Sequence, residues 1–502
     1  MCRLRLGSRS WWVTFALALP LLSQPGYVPA ETPGARRPNV VIVLADDLGW
    51  AELGCYGNRF NETPRLDAMA ARGVRFTQAY AAAPVCSPFR ASLLAGQWPV
   101  RTGITDYLRP NDRKHLDTKL ITLAEVFQAS GYTTGILGKW HLTGYRTAGV
   151  ADEVTPAAHG FAEVRLSENA SIGGGSYFHP YHFNRTVERR LFPQAAVQDR
   201  KGQTAAADPR DTAEFLVERM NLEAVEFIER HRDRPFFLYK SHYAVHTSLN
   251  APPRRVKKFL AKEGATTTRD GKPNNVYLAA QLEAIDEGVG MILDKLTELE
   301  LADDTIVIFM SDNGGESHVT SNAPLRAGKS TLYEGGIRVP LVVHWPRRVG
   351  PGVVSHEPVA SVDLYPTLLA AAGLESPGEP QGSDEKQPHI LDGVSLLPLL
   401  TDAAAQLPSR NLYWHYPLAK PHFLGGRSSG AIRQGEWKLI EHFDVAADAV
   451  DRLELYDLKS DGGETRNLVA DEPARAARLR EALATWRREV GAEVPDGQRL
   501  DP

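Results

Sequence analysis

The sequence is poor in cysteine, with three among its 502 residues. Cys2 lies at the N-terminus, so a chain from which an N-terminal signal peptide had been cleaved would keep only Cys55 and Cys86. Two cysteines cannot build the disulfide framework that stabilises small secreted domains. A single bridge between them is the alternative, but we expect both to be unbridged. The fold must then depend on hydrophobic cores, and a chain of this length has room for more than one.

The chain also lacks an excess of positive charge. Its 57 Lys and Arg residues are opposed by 61 Asp and Glu residues, which gives a formal net charge of −4 at pH 7. The basic residues are scattered, whereas nucleic-acid-binding domains concentrate them on one surface. We therefore expect no nucleic-acid partner. An anionic substrate would have to be bound by local positive charge within a pocket.

Long apolar segments are lacking after the first thirty residues, so we expect no stable membrane insertion. At the N-terminus, Arg3, Arg5 and Arg9 precede the apolar run WWVTFALALPLL and the small residues at 28–30. This order is typical of a secretory signal peptide over residues 1–30. An uncleaved anchor is the alternative. We expect an exported protein, either periplasmic or secreted.

What the sequence does contain is a series of short, continuous apolar runs. They occupy residues 40–44, 133–137, 235–239, 305–310 and 340–344. Such runs are typical of strands that are buried on both faces of a parallel sheet. Helical patterns separate them, most clearly over 282–296, where apolar residues recur three and four positions apart. The pattern predicts an α/β fold with a large mixed, mostly parallel sheet sandwiched by helices.

The composition changes after residue 400. The strand-like pieces NLYWHY, GAIRQGEWKLI and LELYDL are separated by polar turns, and a helical pattern follows over 473–490. We therefore expect a large α/β domain over residues 37–400 and a smaller C-terminal α+β subdomain over residues 401–502.

Acidic and amide side chains follow two of the predicted strands. Asp46 and Asp47 come after the first strand, and Asp312 and Asn313 follow the strand over 305–310. Adjacent carboxylates repel each other and are costly to bury unless a cation joins them. Each residue alone could serve as an ordinary turn or cap. Two such strand ends together favour a site for a hard divalent cation, Ca²⁺ or Mg²⁺.

Cationic and imidazole side chains follow other predicted strands or lie in glycine-flanked loops. They are Lys139 and His141 in GKWHL, His242 and His246 in SHYAVHT, and Lys329 in AGKS. Taken singly, such residues are more often solvated lysines or hydrogen-bonded histidines. Together with Arg90, they would supply the donors that a tetrahedral oxyanion requires around a metal.

One cysteine has an unusual context, the segment PVCSPFRASLLAG over residues 84–96. The sequence predicts a loop that ends at Pro88, followed by a helix with Leu93 and Leu94 facing inward. Cys86 would then lie near the N-terminus of the helix, where backbone amides and the helix dipole favour an anion. A small buried cysteine at a packed turn is the alternative.

This segment closely resembles the C-x-P-x-R signature of the type I sulfatases, within the alkaline-phosphatase-like superfamily. Further segments resemble sulfatase segments in the family's order: PNVVIVLADDLGW, GKWHL, YAVHT, SDNGG and GKSTLYEGGIRVP. The resemblance extends from Asn39 to about residue 400 and continues more loosely through AIRQGEWKLI and LYDL. It implies a sulfuric ester hydrolase whose large α/β domain is catalytic.

The resemblance also implies two cofactors. In this family a formylglycine-generating enzyme oxidises the motif cysteine, and the hydrated aldehyde is the nucleophile, so Cys86 would become 3-oxoalanine (formylglycine). A Ca²⁺ ion would be bound beside it, with Mg²⁺ as the alternative. The ligands implied for this ion are Asp46, Asp47, Asp312, Asn313 and the modified Cys86.

The remaining roles follow from the same resemblance. Arg90 would hold the hydrated aldehyde, and Lys139 and Lys329 would contact the sulfate oxygens of the substrate. His141 would lie beside the nucleophile, and His246 would lie near the leaving oxygen and contact the substrate.

Two residues depart from the family pattern. His242 has no clear counterpart in the catalytic set, so we expect it to support the site or to face the substrate. Ser248 stands where related sequences usually carry proline, a change that loosens a turn and removes no functional group.

The expected substrate is a sulfated carbohydrate, from a polysaccharide or a glycosaminoglycan. One alternative is a phosphate or phosphonate ester hydrolase of the same superfamily. Another is a non-catalytic glycan-binding relative.

Overall fold

The computed structural model of the protein describes residues 37–109, 112–144, 154–168, 177–181, 183, 188–189, 210, 213–268, 270–377, 389–402, 404–445 and 452–495. The signal peptide predicted over residues 1–30 lies outside these ranges. No helix within them combines the length and the apolar character needed to cross a membrane.

In the described part of the chain, nine strands form the larger sheet. They are β1 (Asn39–Ala45), β2 (Val74–Tyr80), β3 (Thr133–Gly138), β4 (Glu163–Arg165), β5 (Phe236–Ser241), β6 (Thr305–Ser311), β7 (Arg338–His344), β8 (Val353–Ser355) and β9 (Val359–Ala360). Their spatial order is β4-β3-β5-β1-β6-β7-β2-β8, and β9 pairs with β2. All pairs are parallel except those that β7 makes with β6 and β2. The mixed, mostly parallel sheet predicted from the sequence is confirmed.

Helices cover both faces of this sheet. The helices of the described residues are α1 (Pro64–Ala71), α2 (Cys86–Ala95), α3 (Pro99–Thr102), α4 (Leu123–Ala129), α5 (Leu216–Arg230), α6 (Pro253–Leu260), α7 (Val276–Glu298), α8 (Glu334–Ile337), α9 (Leu364–Ala372), α10 (Leu397–Thr401) and α11 (Pro473–Val490). Helices α5 and α7 pack on one face, and α2, α4 and α9 pack on the other.

The position of β1 at the centre of the sheet explains why its sequence is almost entirely apolar. Val41 and Val43 of β1 point into the core beneath α5 and α7, whereas Ile42 and Leu44 point into the core on the opposite face. Because both faces are covered, neither set of alternating side chains meets water.

A second sheet follows in the C-terminal region. Within the described residues it comprises four antiparallel strands in chain order: β10 (Asn411–Tyr416), β11 (Ser429–Gln434), β12 (Trp437–His442) and β13 (Leu453–Asp457). Helix α11 packs against it. A third core joins this sheet to the larger one, and there the indole N–H of Trp414 donates to the carbonyl of Ala81 at 2.8 Å. The described residues from Arg37 onward form one compact unit, so a boundary between residues 400 and 401 stays a prediction.

Four neighbouring strands, β3, β5, β1 and β6, run in the same direction and end together. In register, Leu44 lies opposite Ser241, Ala45 lies opposite Ser311, and Gly138 lies opposite Ser241. The residues that follow these strands therefore meet at one edge of the sheet.

Candidate active site

Helix α2 delivers Cys86 to this edge as its first residue, and the side chain is buried. The helix begins earlier than predicted, because Pro88 lies in its first turn, where N–H groups have no partner within the helix. It ends before Gly96, whose φ of 67° favours glycine. Leu93 is fully buried, as predicted. Both Cys86 and Cys55 are free, which confirms that they form no bridge.

His141 lies directly beside the cysteine. Its Nδ1 is 3.1 Å from Cys86 Sγ, and its Nε2 is 2.8 Å from the carbonyl oxygen of Leu108. A carbonyl only accepts, so Nε2 carries the hydrogen and Nδ1 is left as an acceptor that faces the thiol. Burial, aided by the charge of Lys139, holds the pKa of His141 well below its usual value, so the ring is neutral.

The environment disfavours a thiolate at position 86. Burial raises the pKa of the Cys86 thiol above its ordinary value, although Lys139 and Lys329 act in the opposite direction. The unmodified side chain is therefore a protonated thiol at neutral pH, and a thiol is a poor nucleophile.

The acidic and amide side chains after β1 and β6 meet as the strand register requires. Asp46, Asp47, Asp312 and Asn313 are all buried. The Asp47 N–H donates to Asp312 Oδ1 at 3.1 Å, and Asn313 Nδ2 donates to Asp47 Oδ1 at 2.8 Å. Asp47 adopts a φ of 61°, which turns the chain sharply after the strand.

Each of the three carboxylates has one cationic side chain at hydrogen-bond distance, and Arg90 Nη2 also approaches Asp46 Oδ2 at 3.7 Å. The pairs are Lys139 Nζ with Asp46 Oδ2 at 2.5 Å, Lys329 Nζ with Asp47 Oδ2 at 2.7 Å, and Arg90 Nη2 with Asp312 Oδ2 at 2.6 Å. Counted at full ionisation, three negative and three positive side-chain charges balance within this buried centre, although burial and the neighbouring Asp312 raise the pKa of Asp46 to about 7.

His246 completes the group from the loop after β5. Its Nε2 is 3.7 Å from Asp47 Oδ2, and its Nδ1 donates to the carbonyl of Thr247 at 2.6 Å. Burial and the charge of Lys329 lower the pKa of His246 to about 3. The ring is thus neutral, and its Nε2 lone pair faces the centre.

The donor set fits a hard cation. Ligand atoms of Asp46, Asp47 and His246 all lie within 4.8 Å of one another. Among the described residues, the buried oxygens Asp46 Oδ1 and Asn313 Oδ1 have no hydrogen-bond partner. Buried oxygens are rarely left without a partner, and carboxylate and amide oxygens are the ligands that Ca²⁺ and Mg²⁺ prefer. His246 is not among the metal ligands predicted from the sequence. Its position close to Asp46 and Asp47 depends on the conformation of the loop after β5.

The structure also adds residues that sequence reasoning missed. Ser241, at the end of β5, hydrogen-bonds Arg90. Ser311, at the end of β6, accepts from the N–H of Leu48 at 2.9 Å. Tyr177 donates to the carbonyl of His246 at 2.7 Å and so fixes its backbone. The two serines could have been found as polar ends of apolar strands, whereas Tyr177 carries no such signal.

His242 does not join this group. It is completely buried, and neither ring nitrogen has a hydrogen-bond partner among the described residues. Burial, with the charge of Lys240, holds the pKa of His242 well below its usual value. Its backbone N–H donates to the carbonyl of Leu44 at 2.8 Å, which ties β5 to β1 at the edge.

Fold and site together define an α/β protein with a buried centre that combines oxygen ligands for a hard cation with donors for an anion. A family model described as Sulfatase matches residues 38–374, and one described as N-sulphoglucosamine sulphohydrolase, C-terminal, matches residues 327–489. The chain belongs to the sulfatase family, and it is a sulfuric ester hydrolase.

Similar proteins agree with this assignment. Human arylsulfatase A is 33% identical over 487 residues, which cover 89% of this chain and 87% of the relative. Human N-acetylgalactosamine-6-sulfatase is 33% identical over 394 residues, which cover 76% of this chain and 68% of the relative. The crystal structure of Ps i-CgsB in complex with k-i-k-neocarrahexaose has a TM-score of 0.72 and 27% identity, covering 90% of this chain and 93% of that chain.

Proposed function

We propose that the protein is an exported sulfatase that hydrolyses sulfate monoesters on the sugars of a sulfated polysaccharide or glycosaminoglycan. Its nucleophile is formylglycine made from Cys86, and it binds a calcium ion. The observation that carries the proposal is the position of Cys86, at the start of α2 and 3.1 Å from a neutral His141. The sugar substrate is supported by the similarity to N-acetylgalactosamine-6-sulfatase and to the neocarrahexaose-binding Ps i-CgsB.

The raised pKa of the Cys86 thiol supports a modified nucleophile, because an unmodified, protonated thiol would attack the sulfur of the ester poorly. Formylglycine supplies a hydrated aldehyde with one hydroxyl to attack and a second whose deprotonation releases the sulfate. His141 Nδ1 faces this position as a proton acceptor. Arg90 lies one helical turn beyond, and its Nε has no partner among the described residues, so we assign it to hold the group at position 86.

The cation would be bound by Asp46, Asp47, Asp312, Asn313 and the group at position 86, and it would draw electron density from the oxygens of a bound ester. Ca²⁺ is the ion we propose, with Mg²⁺ as the alternative. The three carboxylates and three cationic side chains already balance. A divalent ion therefore leaves an excess of positive charge, which favours binding of a sulfate ester anion.

Two lysines and one histidine lie against the carboxylates of this centre. Lys139 and Lys329 bind carboxylates in the substrate-free site, and we assign them to the sulfate oxygens when the cation occupies those carboxylates. His246 is assigned to the leaving oxygen. Since the Nε2 of the neutral ring carries no proton, it must first take one from water before it can protonate the leaving oxygen, and the negative charge of the bound sulfate ester favours this protonation. His242, which is buried behind the edge, is assigned to support of the strand end.

The proposal includes a maturation partner and an export route. A formylglycine-generating enzyme would convert Cys86 before or during export, and the signal peptide over residues 1–30 would direct the chain to the periplasm or out of the cell.

The test has two arms, a mass spectrum of the peptide that contains residue 86 and rates on matched esters. We expect the mass of formylglycine in enzyme from its native host, and faster hydrolysis of 4-nitrophenyl sulfate than of 4-nitrophenyl phosphate. An unmodified thiol in a protein without turnover would support a glycan-binding relative. A faster rate on the phosphate would assign the enzyme to the phosphoester hydrolases.

A further inference from the structure

Two loops from different parts of the fold meet beside the candidate active site. One is the segment over residues 104–109, which follows α3. The other is the loop over residues 417–428, which connects β10 to β11 in the C-terminal sheet. We use the name rim for the three ring-bearing side chains that these loops bring together: Tyr107, His422 and Phe423.

The first loop is fixed to the residues around the nucleophile. The carbonyl of Leu108 accepts from His141 Nε2 at 2.8 Å, and the N–H of Leu108 donates to Ser87 Oγ at 3.0 Å. His141 and Ser87 are both immediate neighbours of Cys86. Tyr107, which precedes Leu108, is therefore held next to the nucleophile position.

The second loop is fixed beside Lys329. A Cβ at Gly426 would clash with the carbonyl oxygen of Ser330, so only glycine permits this approach. Within the loop, the N–H of His422 donates to the carbonyl of Gly426 at 2.8 Å, and the N–H of Gly425 donates to the carbonyl of His422 at 2.9 Å. This short turn holds His422 close to Lys329.

The rings of the rim contact one another. The centroids of Tyr107 and His422 are 5.7 Å apart at 79°, and those of His422 and Phe423 are 4.4 Å apart in a stacked arrangement. The guanidinium of Arg109 lies 4.2 Å from the Tyr107 ring and is paired with Asp106 at 2.9 Å, which orders this side of the rim.

The outer face of the rim is open to solvent. Phe423 is 73% exposed, the highest value for a large apolar side chain among the described residues. An ordered, exposed aromatic stack beside a binding centre marks a surface that a ligand covers.

The electrostatic environment agrees with this location. Burial is the main cause that lowers the pKa of His422, and charges from Asp106, Lys329, Arg109 and Asp47 act on it as well. His422 is thus within electrostatic range of the centre that binds the sulfate.

We propose that the rim is a sugar-binding platform that determines specificity for sulfated carbohydrates. The C–H face of a pyranose ring would pack on Phe423 and His422, with Tyr107 at its edge, while the sulfate of the same sugar or its neighbour enters the centre. This inference rests on the proposed function, because it names how the sugar of that substrate is held.

The test compares Phe423→Ala with Leu260→Ala, a matched control that removes a side chain of 48% exposure on α6, outside the rim. Both variants and the wild-type enzyme are assayed on 4-nitrophenyl sulfate and on sulfated mono- and disaccharides from chondroitin sulfate and carrageenan. For Phe423→Ala we expect kcat/KM on the sugar sulfate to fall about tenfold relative to the aryl sulfate. Phe423→Trp keeps an aromatic face and should restore the ratio, and Leu260→Ala should leave it unchanged.

The platform would be overturned if Phe423→Ala lowered kcat/KM equally on the sugar sulfate and on the aryl sulfate. It would also be overturned if Phe423→Ala and Leu260→Ala had the same ratio of kcat/KM on the sugar sulfate to kcat/KM on the aryl sulfate. Wild-type turnover of 4-nitrophenyl sulfate tests the proposed function separately, since it does not depend on the rim variants. If the wild-type enzyme cleaves the aryl ester but no sugar sulfate, the affinities of the wild-type and Phe423→Ala proteins for the sulfated disaccharides are measured instead, by calorimetric titration. Equal affinities of wild-type and Phe423→Ala protein would then overturn the proposal.

Discussion

Two regions of this molecule bury several charged side chains, and they differ in how completely the charges are satisfied. One is the candidate active site. The other lies between the two sheets, and we call it the inter-sheet cluster: Tyr80, Glu334, Lys438 and Glu464. In this cluster all four carboxylate oxygens have a donor or a cation within 2.9 Å, and Glu464 Oε1 contacts Lys438 as an ion pair without hydrogen-bond geometry. In the active site, the buried oxygens Asp46 Oδ1 and Asn313 Oδ1 have no hydrogen-bond partner among the described residues.

The difference separates a structural from a functional arrangement of the same residue types. A buried network in which every carboxylate oxygen has a donor or a cation holds its parts in one geometry and leaves nothing for a ligand to bind. A network with buried oxygens left over is stabilised by a further partner, and the partner that we propose for these oxygens is the divalent cation. Changes in the two regions should therefore affect different properties of the protein.

Cys86→Ser should have the largest effect. We expect turnover to fall by at least about 10³-fold, because serine does not yield the aldehyde in a cysteine-type maturation system. Stability should hardly change, since the hydroxyl replaces the thiol at little cost in volume. Rates on 4-nitrophenyl sulfate and circular dichroism melting curves measure the two properties.

Cys55→Ser is the matched control, because Cys55 is also free and only partly exposed but lies outside the active site. It should keep the wild-type rate. A folded Cys86→Ser enzyme with wild-type turnover would contradict the assignment of the nucleophile.

Removal of the cation should affect both rate and stability. Chelation leaves two buried oxygens without a partner, and a ligand present at 100 times its Kd contributes about 2.7 kcal/mol to folding. We expect turnover to be lost and Tm to fall by several degrees, with recovery of both on adding Ca²⁺ or Mg²⁺. Active enzyme that contains neither ion by elemental analysis would contradict the metal site.

The inter-sheet cluster offers the control for this experiment. Glu464→Gln should keep the dependence of Tm on added Ca²⁺, whereas Asp46→Asn should weaken it, because only Asp46 is among the proposed oxygen ligands.

His246→Ala should have an effect that depends on the leaving group. An acid that protonates the leaving oxygen is worth about 10²–10⁴-fold. We therefore expect a loss of this size on a sugar sulfate, whose alkoxide leaves poorly, and a smaller loss on 4-nitrophenyl sulfate. Steady-state kcat on both substrates measures the difference.

His242→Ala is the comparison within the same loop, since His242 is buried and does not face the centre. Its losses should be the same on both substrates. Equal losses for His246→Ala on the two substrates would remove it from the acid role.

A strand could be predicted from the sequence when both of its faces are buried by other parts of the protein, and less well when they are partly exposed. β1, β5 and β6 are central and buried on both faces, so each contains a run of apolar residues by which it was recognised. β2, with the sequence VRFTQAY, is only partly buried and lies near the end of the sheet, and β8 is a strand of three residues of which none is buried. Neither strand has a pattern that distinguishes it from a loop.

The site was predictable where it depends on strand ends. Asp46 and Asp312 follow apolar strands, and the parallel register brings them together. Lys329 lies in a glycine-flanked loop, which made it one candidate among several cationic side chains, and only the resemblance to a family motif gave it a specific role. His422 could not be found at all, because its position depends on the contact of its loop with Ser330. That contact arises from packing between the two sheets, which no local pattern encodes.

The smallest effect we predict concerns the pH dependence of the inter-sheet cluster. Burial, with Glu334 close by, raises the pKa of Glu464 to about 7 from an ordinary value of 4.5. Between these values the folded protein binds a proton that the unfolded chain has released, so this group makes stability fall as the pH rises toward 7 and level off above it. Glu464→Gln cannot titrate, and its stability relative to the wild type should therefore increase between pH 5 and pH 8, by on the order of 1 kcal/mol. Urea unfolding at both pH values measures this change, and a difference between the two proteins that is independent of pH would show that Glu464 is charged throughout.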